Sequence, residues 1–163
     1  MAKQLYLFRH AEAVEKSSER PDKERQLTKK GIQQAEETGE FIVSKKIQLD
    51  AVFCSTAVRT FETAKYALQK VKFPTSNLFY DDDLYEGSTK RLLDIINQIS
   101  DDYNVVMIIG HNPEISTFTG FITNDTGIQM DLAAIALIEF QQASWAEINR
   151  HSGELKLYAK PKE

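Results

Sequence analysis

Asn104-Val105-Val106-Met107-Ile108-Ile109-Gly110 is the stretch of this sequence that decides its fold. Five apolar residues follow one another between an asparagine and a glycine, with no alternation of apolar and polar positions. A strand with one face in solvent alternates, whereas a strand covered on both faces is apolar throughout. The stretch therefore predicts a central strand of a parallel sheet, buried on both sides.

Further strands and helices alternate along the rest of the chain. Apolar runs predict strands at 4–8, 50–54, 77–80, 133–140 and 154–158, and helical spacing of apolar residues predicts helices at 28–46 and 56–70. Four residues are expected to cap the start of a helix, namely Thr28, Thr56, Ser88 and Asn112. Phe61 is expected on the inner face of the second helix. This order predicts an α/β fold, a three-layer α/β/α sandwich with a mainly parallel central sheet, as one domain over residues 1–163.

The composition excludes several classes of protein. Among 163 residues, 20 Lys and Arg stand against 24 Asp and Glu, a formal net charge of −4, which disfavours general binding to nucleic acid. The single cysteine, Cys54, excludes a disulfide framework and a multi-cysteine metal site, and its apolar surroundings predict a buried structural thiol. No run approaches the ~20 apolar residues of a membrane span, and no signal peptide is visible, so we expect a cytoplasmic protein.

Charged side chains follow several of the predicted strands at the point where each strand ends. These segments are Arg9-His10, Ser55–Arg59, Gly110-His111-Asn112 and Tyr85-Glu86-Gly87. In an open α/β sheet, ligands bind beyond the carboxyl ends of the parallel strands. We therefore expect two of the three histidines, two arginines and a carboxylate to share one edge of the sheet.

Two arginines and two histidines beside helix N-termini form an anion site. The planar guanidinium of arginine matches phosphate oxygens, and exposed N–H groups at a helix start add donors. Like charge from arginines disfavours protonation of a neighbouring histidine, and a neutral imidazole keeps a lone pair that can attack phosphorus. With a carboxylic acid to protonate the leaving group, these residues predict phosphoryl transfer through a phosphohistidine, completed by water.

Four segments of the chain, in order, resemble motifs of the histidine phosphatase superfamily, whose fold is also called phosphoglycerate mutase-like. They are Leu7-Phe8-Arg9-His10-Ala11, Leu27-Thr28-Lys29-Lys30-Gly31, Ser55-Thr56-Ala57-Val58-Arg59 with Thr63-Ala64, and Gly110-His111-Asn112-Pro113. The last is similar to the Gly-His-Asn-Pro form of the small SixA-type phosphohistidine phosphatases.

The resemblance implies a role for each candidate residue. His10 would be the nucleophile that becomes phosphorylated, and Arg9, Arg59 and His111 would hold the phosphoryl oxygens. Glu86 stands where many relatives carry the general acid. Ser55 and Asn112 would support the phosphate at the rim. No metal and no cofactor is expected.

The substrate and partner are open at this stage. A short chain without the long insertions of mutases suggests an uncovered site that accepts phosphohistidine on another protein, acting as a monomer. The alternatives are a broad phosphatase for small phosphate esters and a non-catalytic module that binds a phosphorylated partner. Outside the site, His151 and the acidic run 81–83 are interpreted as solvated, and 15–24 as a polar, loop-like segment.

Overall fold

The structure is a computed structural model that describes residues 2–162. Its sheet has six strands, β1 (Lys3–Arg9), β2 (Ala51–Ser55), β3 (Leu78–Asp81), β4 (Val105–Gly110), β5 (Ile135–Phe140) and β6 (Gly153–Ala159). Four helices accompany them, α1 (Lys29–Ser44), α2 (Val58–Val71), α3 (Thr89–Asn97) and α4 (Glu114–Thr123). The predicted α/β class is confirmed, and each predicted strand lies within two residues of its observed bounds.

The strands lie in the order β3-β2-β4-β1-β5-β6. β3, β2, β4 and β1 pair in parallel, while β5 runs antiparallel to both β1 and β6. β4 and β1 are therefore neighbours in the middle of the sheet, as the apolar run predicts. The carboxyl ends of β1, β2 and β4 meet at one edge, which places the residues that follow them close together.

Alternate residues of the two central strands face two separate hydrophobic clusters. Leu5 and Ile108 pack in a cluster that includes buried residues of α3 and α4, whereas Phe8 and Met107 pack in one that includes residues of α1 and α2. Both strand faces are thus covered by helices, which explains the continuous apolar pattern and forms the three layers.

The expected helix caps are confirmed at two positions and corrected at two others. Thr28 accepts a hydrogen bond from the N–H of Gly31, and Ser88 accepts one from the N–H of Arg91. Thr56 is not a cap, because α2 begins only at Val58 and the Thr56 hydroxyl donates to Asp82 instead.

Asn112 lies one residue before the capping position of α4, which Pro113 occupies. Its side-chain oxygen nevertheless accepts a hydrogen bond from the N–H of Ser116, so it supports the start of the helix from outside.

The expected burial of Phe61 is wrong. Its side chain is 47% exposed and lies beside the ring of Tyr80, itself exposed, with 5.7 Å between ring centroids. The reason is that β3 is an edge strand of the sheet, so no further element within residues 2–162 covers this side of α2. No helix within residues 2–162 is long and apolar enough to span a membrane.

Candidate active site

The structure brings together the two histidines that the sequence placed at strand ends. His10 follows β1 and His111 follows β4, and their ring centroids are 5.3 Å apart. The main-chain N–H of His10 donates to the carbonyl of Gly110 at 3.1 Å, and this hydrogen bond continues the β1–β4 ladder one step past the strand. Strand pairing therefore fixes the separation of the two imidazoles.

The imidazole of His10 is oriented by the main chain. Its Nδ1 lies 2.7 Å from the carbonyl oxygen of Ala11. A carbonyl oxygen only accepts, so Nδ1 carries the proton of the neutral ring and Nε2 keeps its lone pair. Nε2 is consequently the atom that can act as a nucleophile.

Helix α2 holds the segment after His10 in place. The hydroxyl of Thr63 accepts a hydrogen bond from the N–H of Ala11 at 3.0 Å and donates to the carbonyl of Arg59 at 2.7 Å. Thr63 thereby connects the nucleophile segment to the turn of α2 that carries Arg59. It was quoted in the sequence motif but given no role there.

His10 is kept neutral at physiological pH. Burial, with a smaller contribution from the positive charges of Arg59, Arg9 and Arg25, lowers its pKa to about 4, although the hydrogen bond to Ala11 acts in the opposite direction. The expectation that arginines disfavour protonation is correct in sign, but burial is the larger cause.

Arg9 is half-buried and Arg59 is buried, and each has different partners. Nη1 of Arg9 donates to the carbonyl of Met130 at 2.9 Å. Arg59 is 6% exposed. Its Nη1 donates to the main-chain carbonyl of Asp22, and its Nη2 donates to the Asp22 carboxylate. Each guanidinium is thus held through its terminal nitrogens. Its Nε is buried and has no hydrogen-bond partner within residues 2–162.

His111 is bound by Ser55, the last residue of β2. Nε2 of His111 lies 2.8 Å from Oγ of Ser55, which is fully buried. Its Nδ1 is buried and, in the part of the chain that the structure describes, has no partner. Burial, followed by repulsion from His10 in its protonated form and from Arg59, lowers the pKa of His111 to about 3, so this ring is neutral as well.

Asp22 is a part of the site that the sequence did not reveal. Its carboxylate accepts hydrogen bonds from Nε of Arg25 at 3.0 Å, Nη2 of Arg59 at 3.1 Å and the hydroxyl of Tyr85 at 2.8 Å. Burial would raise its pKa, but the Tyr85 hydroxyl and then the two arginines lower it to about 2. Asp22 is therefore ionised at neutral pH.

The segment 15–24 is accordingly more than a polar loop. It ends in a short 3-10 helix at Asp22–Glu24, which carries Asp22 to the arginines. Tyr85 joins the same group, since its ring centroid lies 6.0 Å from Cζ of Arg59 and 5.8 Å from the ring of His111. Arg59 and Tyr85 are 37 and 63 residues from Asp22 in sequence, so no local pattern could have identified these contacts of Asp22.

Glu86 does not share the contacts of the other candidates. Its side chain is exposed and makes no hydrogen bond or ion pair with the residues that the structure describes, while its carbonyl accepts from Nη1 of Arg91. Its neighbour Tyr85 points to Asp22 instead. The sequence expectation placed the right loop at the rim, but the side chain that reaches the site is the tyrosine.

Asn112 serves the loop that precedes α4. Its Nδ2 donates to the carbonyl of Met130 at 2.9 Å, the same carbonyl that accepts from Arg9. Its Oδ1 accepts from the hydroxyl of Ser116 at 2.7 Å. Asn112 therefore stabilises the Met130 carbonyl that also binds Arg9. A direct contact of Asn112 with substrate stays a prediction.

These residues together line a candidate site for an anion. Three buried nitrogens without a protein partner belong to residues that the sequence assigned to phosphate binding, Nε of Arg9, Nε of Arg59 and Nδ1 of His111. Buried polar groups are nearly always hydrogen-bonded, so such a concentration indicates a ligand site. Among residues 2–162 no group of three or more His, Cys, Asp or Glu could hold a metal ion.

Comparison with known families and structures agrees with this chemistry. The family model of the histidine phosphatase superfamily (branch 1) matches residues 5–103. A candidate phosphohistidine phosphatase SixA from Nakamurella multipartitia has a similar structure, with a TM-score of 0.84, 25% sequence identity, and coverage of 99% of this chain and 97% of that one.

Two further structures share this fold. The protein histidine phosphatase SixA complexed with tungstate gives a TM-score of 0.83 at 17% identity, covering 96% of each chain. A candidate alpha-ribazole-5'-P phosphatase from Escherichia coli gives 0.70 at 17% identity, also covering 96% of each chain. At this identity the two establish the shared fold.

Proposed function

Because this chain belongs to the histidine phosphatase superfamily, branch 1, we propose that it is a phosphatase for phosphohistidine carried by a protein. His10 is the nucleophile in this proposal, and Arg9, Arg59 and His111 hold the phosphoryl group. The observation that carries it is the set of three unpartnered, buried nitrogens on Arg9, Arg59 and His111 around a neutral histidine. That set offers donors to phosphoryl oxygens and a lone pair to phosphorus.

The reaction proceeds in two displacements. In the first, the Nε2 lone pair of His10 attacks phosphorus and the bond from phosphorus to the substrate imidazole nitrogen breaks. The departing ring keeps that electron pair and, because its other nitrogen carries a proton, leaves as a neutral imidazole. The proton of His10 stays on Nδ1 and is donated to the Ala11 carbonyl oxygen, which stabilises the positive charge that the phosphorylated ring carries. In the second, water attacks phosphorus, His10 recovers its lone pair, and the proton of water leaves to phosphate or solvent.

The acid–base properties of the carboxyl groups at the site favour phosphohistidine as the substrate over an alkyl phosphate ester. An alkoxide leaving group needs a proton from a general acid, whereas a phosphohistidine that is protonated on its other ring nitrogen releases a neutral imidazole without one. Asp22, the carboxylate nearest the arginines, is ionised at neutral pH because its pKa is about 2. Glu86 is exposed and has no side-chain partner within residues 2–162. Neither carboxyl is therefore placed as a ready proton donor.

The structural relatives point in the same direction. The two SixA structures match with TM-scores of 0.84 and 0.83, and the second is described as a protein histidine phosphatase. The small-molecule phosphatase matches at 0.70. A phosphorylated protein is accordingly the partner that we propose.

A phosphatase for small esters is the second candidate, and the small-molecule phosphatase among the structures that share this fold favours it. An exposed carboxyl group on the loop that carries Tyr85 could protonate an alkoxide if that loop moves toward the substrate. In that case ester hydrolysis would depend on Glu86, while hydrolysis of phosphohistidine would not.

The experiment compares a phosphohistidine peptide with a set of sugar phosphates. We expect a much larger kcat/KM for the peptide, retained in Glu86→Gln and abolished in His10→Ala. His151→Ala, which changes an exposed histidine, is the matched control and should behave as wild type. A preference for sugar phosphates that Glu86→Gln removes would establish the second candidate. Tight binding of the peptide without any hydrolysis would show a binding module.

A further inference from the structure

Ser55 and His111 make a buried contact whose hydrogen positions can be determined from the surrounding groups. Oγ of Ser55 lies 2.8 Å from Nε2 of His111 and accepts a hydrogen bond from the N–H of Ala57 at 3.3 Å. Ser55 is fully buried, and its hydroxyl has no other hydrogen-bond partner within residues 2–162. The hydroxyl proton therefore has one available acceptor, Nε2 of His111.

The opposite arrangement leaves two groups unsatisfied. If Nε2 carried the proton and donated it to Ser55, the hydroxyl proton of Ser55 would be buried without an acceptor, which is costly. Nδ1 of His111 would then keep a lone pair, although it too is buried without a protein partner. A lone pair beside phosphoryl oxygens repels them, whereas an N–H attracts them.

We propose that Ser55 is a positioning residue, which fixes His111 with its proton on Nδ1 and so makes this ring a hydrogen-bond donor to the phosphoryl group. The proposal rests on the proposed function, since it assigns the direction of one hydrogen bond in that site. It also replaces the expectation that Ser55 contacts phosphate itself, because the Ser55 hydroxyl is already used by His111 and Ala57.

The charge state of His111 makes the position of its proton decisive. A protonated imidazole would donate from both nitrogens, whatever Ser55 did. This ring is neutral, with a pKa of about 3 caused mainly by burial, so it has only one proton to offer. Fixing that proton on Nδ1 is the only way in which a neutral His111 can both satisfy Ser55 and bind an anion.

The two histidines then perform opposite tasks in the same protonation state. Both carry their proton on Nδ1. His10 directs that proton to Ala11 and keeps Nε2 for attack, whereas His111 directs Nε2 to Ser55 and keeps the Nδ1 proton for the ligand. One main-chain carbonyl and one serine hydroxyl thus differentiate two rings that lie 5.3 Å apart.

Nitrogen NMR of the imidazole rings tests the proposal without substrate. The chain has only three histidines, so a uniformly ¹⁵N-labelled sample gives a simple long-range ¹H–¹⁵N spectrum, assigned with His111→Gln and His151→Gln. We expect His111 to show a protonated Nδ1 and an unprotonated Nε2. A protonated Nε2 on His111 in the wild-type protein overturns the proposal, whatever the enzyme hydrolyses.

Substitution of Ser55 adds a second readout. In Ser55→Ala the acceptor role of Nε2 is lost, so we expect protonated Nε2 to appear and kcat/KM for the phosphohistidine peptide to fall about tenfold. Ser44→Ala, which removes an exposed hydroxyl on α1, is the control and should change neither. Ser55→Thr restores a hydroxyl and should restore the Nδ1-protonated form.

The outcomes separate this proposal from the function on which it rests. An unchanged His111 spectrum in folded Ser55→Ala would overturn the positioning role even if His10 is phosphorylated normally. If the imidazole spectra are as expected but no phosphoenzyme forms, the proposed function is overturned and the tautomer assignment of His111 still holds. If Ser55→Ala does not fold, the wild-type spectrum still decides.

Discussion

Asp22 binds both terminal nitrogens of Arg59, through its main-chain carbonyl at 2.9 Å from Nη1 and its carboxylate at 3.1 Å from Nη2. This two-point contact fixes the plane of a guanidinium whose side chain is 7% exposed. The same carboxylate binds Arg25 and Tyr85, so one acidic residue organises three groups at the mouth of the site. The arginine that we propose for phosphate binding is therefore oriented before any substrate arrives.

Asp22→Asn should weaken this orientation. The amide NH2 group of asparagine would face either Nε of Arg25 or Nη2 of Arg59, placing donor against donor. We expect kcat/KM for a phosphohistidine peptide to fall about tenfold, equivalent to about 1.4 kcal/mol. Asp94→Asn, in an exposed pair with Lys90 on α3, makes the same chemical change away from the site and should have no effect. Equal activity of the two variants would contradict the role of Asp22.

Arg59→Lys tests whether the shape of the guanidinium matters beyond its charge. Lysine keeps the positive charge, but it cannot bind Asp22 at two points and also offer Nε–H to a phosphoryl oxygen. We expect kcat/KM to fall roughly 100-fold, as for loss of a preorganised donor. The matched substitution Arg20→Lys, at an exposed position, should leave kcat/KM unchanged. A lysine variant with wild-type activity would mean that Arg59 supplies charge alone.

Stability should fall as the pH is lowered from 7 to 5. His10 and His111 have pKa values of about 4 and about 3 in the folded protein, below the ordinary value of 6.5. Below pH 6.5 the unfolded chain binds protons that the folded protein does not, so the free energy of unfolding decreases with falling pH. Each lowered pKa is worth about 1.4 kcal/mol per pH unit in that range, giving roughly 2–4 kcal/mol for the pair.

Urea unfolding at pH 7 and pH 5 measures this effect directly. The double variant His10→Gln/His111→Gln should lose most of the difference between the two pH values, whereas His151→Gln should keep it. A wild-type protein as stable at pH 5 as at pH 7 would show that the two rings are not held neutral by burial.

Gly31 lies where α1 approaches the segment after the nucleophile. A Cβ added there would overlap the carbonyl oxygen of Glu12, which accepts a hydrogen bond from the N–H of Thr28. Gly31→Ala should therefore lower the free energy of unfolding by about 1–3 kcal/mol, although alanine favours a helix. Gly127→Ala is the control, since nothing lies within 4 Å of a Cβ at that position. Thermal unfolding of both variants checks the prediction, and equal stabilities would refute it.

The sequence predicted those parts of the site that come from strand ends. Arg9, His10, Ser55 and His111 each lie at the carboxyl end of a strand or directly after it, and strand pairing alone brings such positions together. Arg59 was predicted because a cation in the first turn of a helix is unfavourable unless a ligand or partner compensates it. Local patterns are sufficient for these residues, because the geometry of a parallel sheet supplies the rest.

Other parts could not be predicted, because they depend on contacts between distant segments. Asp22 lies in a polar stretch whose only local property is mixed charge, and its role is set by Arg59 and Tyr85. Phe61 has helical spacing typical of a buried position, yet the edge strand leaves it uncovered. Glu86 and Tyr85 are adjacent in sequence, and only the path of their loop decides which side chain faces the arginines.

The central claim is that Nε2 of His10 receives the phosphoryl group, and the most direct measurement is the chemical location of phosphate in a trapped enzyme. Wild-type protein mixed with a ³²P-labelled phosphohistidine peptide and quenched in alkali within milliseconds should carry alkali-stable, acid-labile phosphate at His10. NMR of the labelled ring should place the phosphate on Nε2, because the Nδ1 proton is held by Ala11. Phosphate on Nδ1 or on another residue, or turnover that persists in His10→Ala, would contradict the account.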